Sequence, residues 1–411
     1  MKIRIKSIVN FLFFIYYLSL LILVSNVETV KYTKILLVLL LGTMLLTMLK
    51  NKKALKYKAV LNTMFPFLLF CFLSIIWSMN KSQALTTSIT MAQMFILVIV
   101  IYGYYSVYSD IEFLIWTIVF AGVVMSAYCI AYYGVDAYIQ AITVKGRLGG
   151  DIANANALAV NAATSTVGCF YYGLYKGKKI YYGIMLIPIT TILGTSSRTG
   201  FLIAIIGIFF IVLSKVLEPH NVVKTIGKVV FTTIIIFVIF RIIMQFLPNT
   251  FIFTRLETLF NFFSDSGGKV DGSTLERMQM IELGKRIFYS SPLFGIGIDN
   301  ARVVAQSSGF WNTYLHNNFI ELLADVGVIG FSLFYLFYAK VFIFVFKKRN
   351  AFAEIKSNNS WFILLITFVA CKFIVDYGSI SYYVQSFYVL YAVTLLGIDQ
   401  IENHCESIKI I

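Results

Sequence analysis

The sequence predicts an all-α polytopic membrane protein with about twelve transmembrane helices. Two observations carry this prediction. Hydrophobic residues make up 59% of the 411-residue chain and charged residues only 13%, whereas a soluble domain carries about 25% charged residues. Apolar runs long enough to cross a bilayer also recur along the chain and alternate with short polar loops that hold most of the lysines and arginines.

Twelve apolar runs define the predicted spans, because a helix needs about 18 or more apolar residues to cross a bilayer. They lie near residues 8–26, 33–49, 60–78, 88–107, 112–133, 153–174, 180–195, 200–217, 225–247, 327–346, 360–377 and 382–398. The first run follows Lys2, Arg4 and Lys6, as in a signal peptide. It has no small-x-small cleavage site and further spans follow it, so it predicts an uncleaved anchor.

Basic residues in the short loops predict the orientation. One alternating set of loops is about three times richer in Lys and Arg than the other, and that set marks the cytoplasmic side. Both termini are therefore predicted to be cytoplasmic, and the loop from Pro248 to Leu315 to be extracytoplasmic. The predicted organisation is residues 1–247 with helices 1–9, 248–315 as a large loop with short helices, 316–398 with helices 10–12, and 399–411 as a cytoplasmic tail.

Composition and motifs argue against several function classes. The net charge of +15 is explained by topology and anionic lipid, so no nucleic-acid partner is expected. The five cysteines form neither a CxxC pair nor a Cys/His cluster, and they indicate no disulfide framework or metal site. Phosphate-binding GxxxxGK[ST] and metal-binding HExxH or DxD patterns do not occur. We therefore expect no cofactor, no metal and no ATP-driven pump.

Arg198 is the first of three residues that interrupt this pattern on the predicted outer side. It follows Ser196 and Ser197 and precedes Thr199, at the junction of the seventh and eighth spans. A guanidinium is a rigid fork suited to phosphate, and the neighbouring hydroxyls supply further donors. The alternative is an arginine that only reaches the membrane interface.

Arg277 lies in the large loop, within a predicted helix. Ser273 and Glu276 have the spacing of a capping box, and the helix should run to about Tyr289, before Ser290-Ser291-Pro292. That helix would hold Arg277 rigidly near its start. The alternative is a solvated helix face, which the pair Glu282 and Arg286, four residues apart, would suit.

His316 is the only histidine predicted outside the cytoplasm, where the large loop enters the tenth span. An imidazole there can accept a proton near neutral pH, or it can be a hydrogen-bonded interfacial histidine. Within the eleventh span, Lys372 and Asp376 are four residues apart and can pair.

Together these segments resemble the O-antigen ligase and polymerase family of bacterial envelope enzymes. Arg198-x-x-x-Leu202 is similar to the family's Arg-x-x-x-Leu element. His316-Asn317, nine residues, Gly327, two residues and Gly330 fit its His-[Asn/Ser/Gln]-x9-Gly-x-x-[Gly/Thr/Tyr] pattern. Arg277 with Pro292-Leu293-Phe294-Gly295-Ile296-Gly297 resembles its Arg…Pro-Leu-x-Gly-x-Gly stretch, and a weaker likeness covers residues 146–156.

The resemblance implies a membrane glycosyltransferase of GT-C-like architecture that uses an undecaprenyl-diphosphate-linked oligosaccharide on the outer face. It implies Arg198 and Arg277 as contacts to the diphosphate, Arg147 as an auxiliary anion contact, and His316 as the general base. Glu321 and Asp325 could orient His316, but a hydrated helix face is the favoured expectation for both. Further expected partners are membrane lipids, a chain-length regulator and a flippase.

The family divides by acceptor, and the shared motifs do not decide between its branches. The forms Ser-Ser-Arg-Thr-Gly and Leu-His-Asn-Asn-Phe-Ile-Glu-Leu-Leu favour a polymerase of capsule or O-antigen repeat units. The alternative is a ligase that transfers the glycan to lipid A core or protein. A flippase or solute transporter is a third hypothesis, and it would predict functional charges near the middle of the bilayer.

Overall fold

The computed structural model describes residues 2–217, 227, 272–310 and 314–409. Within these residues the secondary structure is helical, with no strand. The α-helices are α1 (Lys2–Ile22), α2 (Val30–Lys50), α3 (Lys58–Ser74), α4 (Lys81–Tyr108), α5 (Ile111–Tyr133), α6 (Val135–Gln140), α7 (Ala155–Tyr175), α8 (Ile180–Ile184), α9 (Leu186–Thr195), α10 (Arg198–Val216), α11 (Gly272–Ser290), α12 (Ala301–Ser307), α13 (Asn318–Lys347), α14 (Phe352–Asn358), α15 (Trp361–Gly378) and α16 (Gln385–Lys409). A π-helical turn at Ala141–Lys145 and a 3-10 turn at Arg349–Ala351 complete the described elements.

Six of these helices are long and apolar enough to cross a membrane: α2, α4, α5, α10, α13 and α15. Three shorter apolar segments, at Lys6–Ile22, Lys58–Ser74 and Ile180–Thr195, coincide with predicted spans. Helices α7 and α16 overlap the predicted sixth and twelfth spans, and the predicted span at 225–247 lies outside the described residues. The structure thus supports a polytopic membrane protein; the number twelve and the GT-C-like architecture stay predictions.

Helix α4 begins seven residues before the predicted start of its span, because Asn80 caps it. The Asn80 side chain accepts a hydrogen bond from the Gln83 backbone N–H at 3.1 Å. Such a cap satisfies an amide that has no partner within the helix. The first turns of α4 are polar, which explains why hydropathy alone missed them.

The chain divides into two compact units. Unit 1 comprises residues 1–42, 110–270 and 348–371. Its helix α7 packs closely against α5 and α10, with glycines at the crossings. A Cβ at Gly168 would lie 2.2 Å from Val119, and one at Gly200 would lie 2.6 Å from Ala159. Small residues at such crossings let backbones approach, as is common in membrane helices.

Unit 2 comprises residues 43–109, 271–347 and 372–411. Helices α11 and α12 and the start of α13 share a small apolar core, formed by Met280, Leu283, Ile287, Ala301, Ala305, Leu315 and Ala324. The described part of the predicted large loop is therefore folded and contains short helices. The predicted helix around Arg277 is confirmed as α11, although its start differs by a residue, and the capping serine Ser273 lies outside the described side chains.

Candidate active site

Arg198 is the first residue of α10, in a tight turn after α9. Ser196 closes α9 in the left-handed conformation, with φ 48° and ψ 35°. Ser197 caps α10, its side chain accepting from the Gly200 backbone N–H at 3.5 Å. Arg198 itself is buried, with 8% exposure. A cation at a helix N-terminus opposes the helix dipole, so the side chain and the dipole together favour an anion at this place.

Arg147 is held next to this turn by hydrogen bonds to the end of α9 and to α7. Its Nε donates to the Thr195 carbonyl at 3.1 Å, and its Nη2 donates to Asn156 Oδ1 at 2.5 Å. Ser197 Oγ donates to the same Asn156 oxygen at 2.9 Å. The amide of Asn156 thus links Arg147 to the residue before Arg198. We call Arg147, Asn156, Ser197 and Arg198 the arginine cluster; it lies within unit 1.

Two glycine-containing segments of unit 2 dock backbone to backbone. Helix α13 is broken at Gly327, where φ is 64° and ψ is −171°. A Cβ there would lie 2.3 Å from the Leu293 carbonyl oxygen, and one at Gly295 would lie 2.3 Å from the Asp325 backbone. The backbone N–H of Val328 donates to the Pro292 carbonyl at 2.9 Å. Gly295 and Gly327 are therefore explained by one contact, because each admits the other segment's backbone.

Asn317, the second residue of the histidine motif, caps α13. Its Oδ1 accepts from the backbone N–H groups of Phe319 at 3.0 Å and Ile320 at 3.1 Å. This explains a short polar residue after the histidine, since Asn is among the best helix caps. His316 precedes it in the left-handed region, with φ 56°, a conformation that non-glycine residues seldom adopt and that marks strained or functional positions.

His316 is held neutral by its surroundings. Burial, and then the positive charge of Arg277, lower its pKa to about 4. Its ring lies 4.5 Å from the ring of Tyr314, centroid to centroid. Within the described residues, its Nδ1 has no hydrogen-bond partner. A partly buried, neutral imidazole with an unused nitrogen can accept a proton from a bound hydroxyl.

The expected hydrated helix face is wrong for Glu321, because this side chain is completely buried. Its Oε2 accepts from the Leu315 backbone N–H at 2.6 Å, which fixes the residue before His316. We call Arg277, Tyr314, His316, Asn317 and Glu321 the histidine cluster; it lies within unit 2.

The expectation of a hydrated face is also wrong for Asp325, which is completely buried as well. Its carboxylate accepts from the backbone N–H groups of Asp299 at 2.9 Å and Ala301 at 2.7 Å. It therefore caps α12 from another helix. The pattern of a helix face could not reveal this role, because both partners are more than 20 residues away.

The predicted pair of Lys372 and Asp376 is confirmed. Lys372 Nζ lies 2.6 Å from Asp376 Oδ2, and both side chains are buried. Tyr335 donates to the same Asp376 oxygen at 2.9 Å and accepts from Asn318 Nδ2 at 3.0 Å. The Tyr335 hydroxyl thus links the buried ion pair to Asn318, the first residue of α13, which lies two positions after His316.

A central segment of the chain matches a known protein family. Residues 183–335 match the family described as O-antigen ligase. This match supports the resemblance to the O-antigen ligase and polymerase family. Comparison with curated proteins gives no match. The resemblance inferred from the motifs is confirmed, and members of the O-antigen ligase family are glycosyltransferase-like enzymes that use lipid-linked polysaccharide substrates.

The matched segment contains Arg198, Arg277 and His316, with Gly327 and Gly330 of the histidine motif. Arg147 lies outside it, so its assignment depends on the weaker likeness at residues 146–156 and on its hydrogen bonds to Thr195 and Asn156. Across residues 2–217, 272–310 and 314–409, no group of three or more His, Cys, Asp or Glu side chains could hold a metal ion.

Proposed function

We propose that the protein is a polymerase of surface polysaccharide repeat units, of the O-antigen or capsule type. It transfers the growing glycan from undecaprenyl diphosphate to a sugar hydroxyl of another lipid-linked repeat unit. The observation that carries the proposal is the partly buried His316, whose pKa is lowered by burial and by the charge of Arg277, in a segment that matches a family of glycosyltransferase-like enzymes. The reaction is assigned to the outer face of the bacterial cytoplasmic membrane, with both termini cytoplasmic.

In the proposed reaction His316 accepts the proton of the acceptor hydroxyl. The hydroxyl oxygen bonds to the anomeric carbon of the donor sugar, and the bond from that carbon to the diphosphate oxygen breaks. The electron pair leaves with undecaprenyl diphosphate, and the proton on His316 passes to water. Proton acceptance by a positioned base contributes about 10²–10⁴ in rate.

Arg277 has two roles in this proposal. Its guanidinium contacts the diphosphate, whose negative charge grows as the glycosidic bond breaks. An anion bound at Arg277 also offsets the positive charge that lowers the His316 pKa. Donor binding therefore raises the pKa of His316 towards the pH of the medium, where a base transfers protons most effectively.

Arg198 is proposed as a second diphosphate contact and Arg147 as an auxiliary one. Support comes from the arginine cluster, where Arg198 begins a helix whose dipole also favours an anion. Bonds to Thr195 and Asn156 hold Arg147 in one orientation. A pre-oriented guanidinium loses little side-chain entropy when it binds phosphate.

The acceptor is assigned from the sequence forms around Arg198 and His316, which resemble polymerases more than ligases. The second candidate is an O-antigen ligase, as the matched family's description reads. A flippase or solute transporter is third, and the buried Lys372–Asp376 pair is the described feature that favours it. In the polymerase proposal that pair has a structural role, and a flippase and a chain-length regulator are separate partners.

The test is an assay of purified protein in liposomes with a lipid-linked repeat unit as the only substrate. The proposal predicts a ladder of glycan lengths without lipid A core. Product that appears only when lipid A core or protein is added would identify a ligase. Movement of the lipid-linked unit across sealed vesicles without new glycosidic bonds would identify a flippase.

A further inference from the structure

Arg302 on α12 is a partly exposed arginine with an unusually well-fixed side chain. Its Nε lies 3.3 Å from Asp299 Oδ1, and its side chain is 24% exposed. Its Nη2 donates to the Tyr383 hydroxyl at 3.2 Å. Among the described residues, Nη1 makes no hydrogen bond and Nε has none of suitable geometry. One edge of the guanidinium is therefore held, and the edge at Nη1 is available.

Asp299, which holds that edge, is itself fixed from several directions. It is buried and left-handed, with φ 58°. Its Oδ2 accepts from Gln83 Nε2 at 2.5 Å and from Thr87 Oγ1 at 2.8 Å. Its backbone N–H donates to Asp325 at 2.9 Å. These contacts fix the Asp299 carboxylate, and the fixed carboxylate in turn orients the Arg302 guanidinium.

Arg302 belongs to the surroundings of His316. The Tyr383 hydroxyl that accepts from Arg302 follows Ser381 and Tyr382, whose backbone N–H groups donate to Asn318 Oδ1 at 2.8 and 3.1 Å. Asn318 lies two residues after His316. Glu321, whose Oε2 fixes Leu315, interacts electrostatically with Arg302, and its Oε1 has no hydrogen-bond partner within the described residues. Arg302 is thus bonded to the segment that docks at the start of α13, next to the proposed base.

We propose that Arg302 binds anionic oxygens of the glycosyl substrate, either phosphate of the lipid diphosphate or a sugar carboxylate. This inference rests on the proposed function, since it assigns a further substrate contact to the same reaction. A guanidinium edge is geometrically matched to two oxygens of either group. Asp299 serves as the positioning residue, because it orients the fork without reaching the substrate.

The test is a titration of the purified full-length protein in nanodiscs, with two probes used separately: undecaprenyl diphosphate and methyl glucuronide. Arg302→Lys keeps the charge beside Asp299 but removes the fork. Arg302→Gln with Asp299→Asn removes both charges, so that no buried carboxylate is left unpaired. Arg286→Gln, an exposed arginine on α11, is the matched control, and thermal unfolding checks that each variant is folded.

We expect both Arg302 variants to bind one probe about tenfold to a hundredfold more weakly, the loss typical of a charged hydrogen bond. The weakened probe identifies the source of the anionic oxygens. Folded Arg302 variants that bind both probes like the wild type would overturn the inference. If Arg277→Gln weakens binding in that case, the proposed function stands alone; if Arg277→Gln also binds like the wild type, the proposed function fails with it.

Discussion

The arginine cluster of unit 1 and the histidine cluster of unit 2 are built in different ways. In the arginine cluster, side chains hold side chains: Asn156 bonds both Arg147 and Ser197. In the histidine cluster, backbone contacts dominate, because Gly295 and Gly327 let two segments meet and Glu321 holds a backbone N–H. A binding cluster can tolerate side-chain adjustment, whereas a base must be placed within hydrogen-bond reach of one proton. We infer from this difference that backbone packing fixes the position of His316.

The largest expected effect is that of Gly327→Ala, which would break the backbone contact of the histidine cluster. The added Cβ would lie 2.3 Å from the Leu293 carbonyl oxygen, and the alanine would have to adopt a positive φ. We therefore expect the free energy of unfolding to fall by more than ~1 kcal/mol and little folded protein to form. The measurement is the thermal midpoint and yield of purified protein.

Gly309→Ala is the control, because Gly309 also has a positive φ, of 86°, but no atom of the described residues lies within 4 Å of its Cβ position. It separates the backbone clash from the strain of the left-handed conformation. Equal midpoints for the two variants would show that the docking of these segments is unimportant.

Arg198→Gln tests the arginine cluster and should have the next largest effect. Loss of one preorganised donor to a developing anion costs about 10²–10³ in rate, so kcat/KM for the lipid-linked donor should fall by that amount. Arg147→Gln should cost about tenfold, as for an auxiliary charged hydrogen bond. Steady-state kinetics in liposomes measures both, and a larger loss for Arg147→Gln would reverse the assigned order.

Arg277→Gln should shift the pH dependence of the reaction. Burial and the Arg277 charge both lower the pKa of His316, to about 4. Removal of the charge raises that pKa, while burial still keeps it below the ordinary value. The acid limb of kcat/KM, which reports the free enzyme, should therefore move upward from about pH 4. An acid limb that stays in place in this variant would separate Arg277 from His316.

Tyr335→Phe should have the smallest effect. It removes the hydroxyl between Asp376 and Asn318, and a net hydrogen-bond loss of about 1 kcal/mol corresponds to a decrease in kcat of about fivefold. Tyr338→Phe is the control, since the Tyr338 ring lies 4.5 Å from the same Lys372 ammonium while the described contacts include no bond from its hydroxyl to Asp376. If kcat falls equally in both variants, the link to Asn318 has no positioning role.

Much of the fold could be predicted from the sequence, because helices in a membrane are local features of hydropathy and capping. The helix around Arg277 was expected. The predicted start of the tenth span, at Gly327, coincides with the break in α13. The start of α4 was not, because its first turns are polar and depend on the Asn80 cap. The predicted domain boundaries follow topology and stay predictions.

The candidate site was only partly predictable. Arg198, Arg277 and His316 were chosen as candidates from residue type, spacing and family resemblance, and their roles stay predictions. Glu321 and Asp325 were assigned wrongly to a hydrated face, because the amides that they bind lie in other segments of the chain. The Asp299–Arg302 contact was missed, although a charged pair directly after the Gly-x-Gly stretch was a signal that could have found it.

Release of undecaprenyl diphosphate in a single turnover, compared between wild-type protein and His316→Gln, tests whether His316 is the base. We expect one undecaprenyl diphosphate per new glycosidic bond in the wild type. In His316→Gln we expect unchanged donor binding and a rate lower by about 10²–10⁴. Release at the wild-type rate from folded His316→Gln protein would contradict the assignment of His316 as the base.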